Sequence, residues 1–93
     1  MSTVNIAITY TDTGYGQAQV EIEGTPSTNY SNKFPIGGNF GQDFDLASDT
    51  YTISVSGTSG AAATLDVTGS VVDPVHDNCA PTQITMIDTF DVI

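Results

Sequence analysis

Arginine is absent from this chain and lysine occurs once, at Lys33, against eleven Asp and Glu residues, for a formal net charge of −10. Holding a polyphosphate requires Lys and Arg to neutralise it, so the composition effectively excludes nucleic acid as a partner. Anionic membrane surfaces and phosphorylated ligands are disfavoured on the same ground. Cysteine is also single, at Cys79, so no disulfide can close within the chain. Ninety-three residues make one domain, 1–93, and a chain this short buries only roughly 60–65% of its unfolded surface. Packing, an ion or another copy of the chain must therefore supply the stability that a disulfide would otherwise add. With His76 and Cys79 as the only histidine and cysteine, a structural zinc centre of four Cys or His ligands is out of reach. No run is long and apolar enough to span a bilayer, so no membrane insertion is expected. The start, Met1-Ser2-Thr3, shows neither a basic segment nor an apolar one of the signal-peptide kind. The Asp/Thr/Ser/Gly-rich, Lys-poor composition leans towards an extracellular or cell-surface setting.

What is present is a period of two. Val4, Ile6, Ile8 and Tyr10 alternate with polar or small residues, as do Ala18, Val20 and Ile22 with Gln17, Gln19, Glu21 and Glu23. Further strands are expected at 33–36, where Pro35 points to an edge or bulge, and at 43–46. Others are expected at 50–56, 62–72 and 83–92. The last alternates less cleanly, with Ile84 and Met86 on one face and Ile87 on the other. The segment 73–82 reads as a loop carrying two prolines, His76 and Cys79. The stretch 37–41, Gly-Gly-Asn-Phe-Gly, reads as a second loop.

Seven short strands separated by turn formers about every 8–12 residues predict an all-β, seven-stranded antiparallel β-sandwich, with a small β-barrel as the alternative. Phe44-Asp45-Leu46 leading into Thr50-Tyr51-Thr52-Ile53 resembles immunoglobulin-like and prealbumin-like modules, over about ten residues. That resemblance implies a sandwich and no particular activity.

The catalytic inventory is poor. His76 and Cys79 lie three residues apart and offer the only Cys–His combination, with no orienting third group. Carboxylate pairs are plentiful, but a domain this small offers little cleft, and no enzyme activity is expected. Calcium is a different matter, since it takes carboxylates and Asn oxygens from loops. If successive strands run antiparallel, one end of the sandwich gathers Asp49, Asp73, Asp77 and Asn78 as candidate metal ligands. The same residue types also form turns with no ion. Asp43 and Asp45, with Asp12, are a second acidic grouping.

The opposite end gathers Tyr15, Asn39, Phe40 and Gln42. Aromatic rings beside amides hold sugars by covering a C–H face while the amides take hydroxyls, so these four are the candidate ligand residues. The competing expectation is that Phe40 tucks back to plug the open end of the sandwich. The function expected is a non-enzymatic recognition or adhesion module, with carbohydrate or a surface glycan as ligand. The alternative is a self-assembling fibre or shell subunit, a homo-oligomer pairing through edge strands and stabilised by calcium. In that case the apolar end, Phe90, Val92 and Ile93, is either tied into its own sheet or donated to a neighbour's.

Overall fold

The computed structural model describes residues 1–11 and 15–93, with Tyr15 described by its backbone alone. The described residues form eight antiparallel strands and no helix. They are β1 (Ser2–Tyr10), β2 (Tyr15–Glu23), β3 (Ser31–Gly38), β4 (Phe40–Leu46), β5 (Asp49–Ser59), β6 (Ala63–Gly69), β7 (Val75–Cys79) and β8 (Thr82–Val92). They make two four-stranded sheets, β4-β1-β6-β7 (sheet A) and β3-β2-β5-β8 (sheet B). Only β2–β3 and β6–β7 are hairpins; every other connection carries the chain from one sheet to the other. Two sheets sharing one apolar interior make the arrangement a sandwich.

The count is eight strands, one more than the alternation shows. The extra strand is β7, inside the segment that reads as a loop. Its inward positions are Val75, Asp77 and Cys79, all half-buried, with exposed His76 and Asn78 between them. An aspartate in the middle inward slot disguises the period. The glycine-rich stretch 37–41 is likewise mostly strand, because β3 runs to Gly38 and β4 begins at Phe40.

Each inner face is the apolar half of an alternating strand. Val4, Ile6, Ile8, Val20, Ile22, Tyr51, Ile53, Val55, Leu65, Val67 and Ile84 are wholly inaccessible, and no polar or charged residue is buried among those described. At ~25 cal/mol per Å² of apolar surface, this interior is the main term opposing chain entropy. One long side of the sandwich is closed by aromatics. Phe34 of β3 lies 5.2 Å from Phe40 and 6.0 Å from Phe44 of β4. The last strand is regular once its slots are assigned: Ile84, Met86, Phe90 and Val92 are buried, Ile87 faces out, and Asp88 takes the remaining inward slot. Phe90 and Val92 are thus tied into the chain's own sheet, and Ile93 N–H bonds Ser70 C=O at 3.1 Å.

Asp49 fastens the β2–β3 loop to the start of β5. Its carboxylate accepts from Thr25 N–H and Oγ1 at 2.9 and 2.8 Å, from Thr28 Oγ1 at 2.7 Å and from Thr50 N–H at 2.8 Å. The Thr28 hydroxyl first, then Thr25 and the Thr50 amide, hold its carboxyl down at about 2 from an ordinary 3.8. A depressed pKa means the ionised form favours the folded state. Its contribution is complete above the ordinary carboxylate value and lost as pH falls through about 2. Acidification from pH 4 to 2 is therefore expected to abolish hydrogen-exchange protection at Gly24 and Asn29, whose amides bond within this loop. Asp49→Asn should show that loss already at pH 5. Unchanged protection in the variant would show that the carboxylate does not anchor the loop.

Candidate functional site

Of the ligand residues expected from sequence, two have structural duties. Phe40 is half-buried against Phe34, so it plugs the side of the sandwich. Asn39 bridges the sheets, its Oδ1 accepting the Tyr10 N–H at 2.8 Å. Gln42 is exposed on β4, opposite Ile6 and between Phe40 and Phe44. The Tyr15 side chain lies outside the described residues, as does Asp12. No aromatic platform beside amides forms from the described members of this set.

The four expected metal ligands do not converge. Asp49, committed to Thr25 and Thr28, pairs with Val92 at the lower end of β8. Asp73 is exposed in the β6–β7 connection at that same end. Asp77 and Asn78 belong to β7, opposite Leu65 and Thr64. Asp77 lies against Asp88, which is four residues above Val92 on β8, about 13 Å along the strand. Among the described residues, no group of three or more Asp, Glu, His or Cys is placed to hold a metal. His76 and Cys79 fall on opposite faces of β7. His76 Nδ1 meets Asp66 Oδ1 at 2.5 Å on the outside, while the Cys79 thiol turns to β8. No Cys–His pair forms.

The outer face of sheet B holds what the sequence reading missed. Register aligns Pro35, Gln19, Ser56 and Thr85 in one row across β3-β2-β5-β8, and puts Gln17, Thr58 and Gln83 in the row above. These upper rows carry amides and hydroxyls and no charge, on a chain of net charge −10. The rows below carry Lys33 and Glu21, paired at 3.4 Å, and Glu23. A register shift in β2 between Tyr15 and Ala18 loosens the ladder to β3. There the surface sinks into a trough of ≈ 530 Å³ lined by Gln17, Gln19, Pro35, Gly37, Ser56 and Thr58.

A second recess of ≈ 470 Å³ shares Gln17 and Thr58 with the trough and continues over the end of the sheet to Ser59, Gly60 and Thr82. Thr82 has φ of 90°. That conformation is strained in a β-branched residue, and such strain concentrates at functional positions. The sequence did carry a signal for this surface: Gln17 and Gln19 alternate on a strand whose later outward residues are both glutamates.

Fold and face together define a two-sheet antiparallel β-sandwich with a neutral, amide- and hydroxyl-lined outer surface. No family model, curated protein or solved structure matches the chain in comparisons with known proteins. No helix among the described residues is long and apolar enough to cross a membrane.

Proposed function

We propose that the protein is a non-enzymatic recognition module that binds a neutral carbohydrate along the trough on the outer face of sheet B. The observation that carries this reading is the charge-free double row, Gln19-Ser56 and Gln17-Thr58, lining a recess on a chain of net charge −10. Amides and hydroxyls at neighbouring positions offer donors and acceptors together, which is what vicinal sugar hydroxyls require. The Pro35 ring supplies apolar surface for C–H faces, and Gly37, with no side chain, leaves room for a ligand to approach. Because the trough continues into the recess at Thr82, an oligosaccharide fits it better than a single sugar.

A glycan array read with the wild-type chain and with Gln17→Ala/Gln19→Ala tests the reading. The double substitution is expected to weaken binding about tenfold or more, from hydrogen bonds of ~1 kcal/mol each. Failure to bind any neutral glycan, or binding that survives the substitutions, would refute it.

Self-assembly through edge strands is the second reading, and β8 favours it. The chain seals this edge at both ends. Cys79 Sγ accepts the Thr85 N–H at 3.5 Å and donates to Gln83 C=O at 3.4 Å, while Val72 N–H bonds Asp91 C=O at 2.9 Å. Alternation of the ladder leaves the backbone groups of Ile87 and Thr89 turned outward between these seals. The Ile87 side chain is 65% exposed beside them. Concentration-dependent light scattering that disappears in Ile87→Lys would support this reading.

A further inference from the structure

Along the side where β7 and β8 run as outermost strands, two inward slots that elsewhere hold apolar residues hold carboxyl groups instead. Asp77 sits between Val75 and Cys79, and Asp88 between Met86 and Phe90. The Asp88 carboxyl lies within hydrogen-bonding reach of Asp77. Its Oδ2 is buried with no hydrogen-bond partner. Ionised carboxylates are acceptors only, so contact of this kind requires a proton on one of the two. Both ionised, they would repel across the gap between the two strands.

We propose that Asp77 and Asp88 share one proton and form an acid-closed clasp between the two sheets, whose deprotonation releases β7 from β8. Asp77 Oδ1 accepts the Asn78 N–H at 2.8 Å, whereas the buried Asp88 Oδ2 has no partner, which places the shared proton on Asp88. In agreement, burial, then the hydrogen bond and charge of Asp77, raise the Asp88 carboxyl from 3.8 to about 6.

Among the described residues, no other charged group faces the pair. On β6, Leu65 and Val67 face inward, and Asp66 faces out to His76 of β7. On β5, Ile53 pairs with Asp88, Tyr51 donates its hydroxyl to Ala47 C=O, and Asp49 is held by Thr25 and Thr28 at the far end. On β8, Asp91 accepts from Thr50 Oγ1. Cys79 is the remaining titratable group on β7, and the sole lysine, Lys33, pairs with Glu21. Because the Cys79 thiol seals Gln83 and Thr85, loss of β7 also uncovers the upper edge of β8. The clasp thus sets the pH at which that edge becomes available, and it is independent of the carbohydrate reading.

A raised pKa means that the protonated form favours the closed state. The contribution is complete below the ordinary carboxylate value near 3.8 and is lost as pH rises through about 6. Hydrogen exchange on the intact chain tests this, with protection factors corrected for the intrinsic rate. Protection at the β7 amides should fall by up to about tenfold per pH unit between about pH 4 and 6, then level off, as a one-proton opening requires. In Asp88→Asn, a neutral side chain that can still donate to Asp77, β7 protection should stay level across that range. His76→Gln should keep the wild-type fall. A wild-type protein without the fall, or an Asp88→Asn variant with it, overturns the clasp. If Asp88→Asn does not fold, the ¹³C carboxyl titration of Asp88 in the wild-type chain decides. A midpoint near 6 upholds the clasp, and one in the ordinary carboxylate range overturns it.

Discussion

Tyr51→Ala is expected to destabilise the fold by about 3–5 kcal/mol, the cost of emptying a large, fully enclosed aromatic site. Tyr51 has no accessible surface and is the largest of the wholly buried side chains. Its ring stacks on Phe90 at 5.6 Å and meets Tyr30 edge-on at 5.6 Å, joining β8 and the β2–β3 loop to the centre of sheet B. Its hydroxyl donates to Ala47 C=O at 2.7 Å, in the segment that carries the chain from sheet A to sheet B. A domain of this size has only ~5–15 kcal/mol in total, so the variant should be largely unfolded at 37 °C or melt far below the parent. Tyr51→Phe separates the two roles: it keeps the stacking and loses one hydrogen bond, a cost of about 1 kcal/mol. Urea unfolding of both variants checks this. Equal losses would mean that the hydroxyl, not the ring, carries the residue's contribution.

Gly57→Ala is the second large effect, and it works by excess rather than by loss. A Cβ at this position would stand 2.0 Å from Gln17 C=O and 2.6 Å from the Ala18 Cα. Both are backbone atoms of β2, so no side-chain rotation relieves the clash. Strand β2 must part from β5, at a cost of about 1–3 kcal/mol or more. Because Gly57 underlies the trough, stability and ligand binding should fall together. Ser56→Ala, on the exposed outward side, should leave the melting temperature within a degree or two, as exposed substitutions do. A Gly57→Ala protein with parental stability would show that the strands can separate here without penalty.

The contrast between these two positions shows where reading the chain residue by residue succeeds. Val4-Ile6-Ile8, Val20-Ile22 and Tyr51-Ile53-Val55 announce their strands because each inward slot is apolar, and burial follows directly from that pattern. The pattern fails where a sheet ends. β7 has an aspartate in its central inward slot, and β8 has Asp88 inward with Ile87 outward, because a strand at an open side faces water from two directions. Phe40, flanked by Asn39 and Gly41, has the composition of a loop aromatic. It is packed because β3 and β4 border the same open side and three phenylalanines close it. The acidic residues were hardest to place. Asp49 and Asp77 look equivalent along the chain, yet one binds threonines of a loop and the other meets a carboxyl group across the sandwich.

Composition alone decided the acidity, the poverty of catalytic groups and the lack of disulfides, because each is a count and needs no geometry. Local alternation decided the all-β class, because side-chain direction along an extended chain is a property of neighbouring residues. Strand order and register decided the rest: that Gln17 and Gln19 of β2 lie beside Ser56 and Thr58 of β5, and that Asp77 meets Asp88. Residues so far apart along the chain become neighbours only through long-range pairing, and no local pattern specifies which strands will pair.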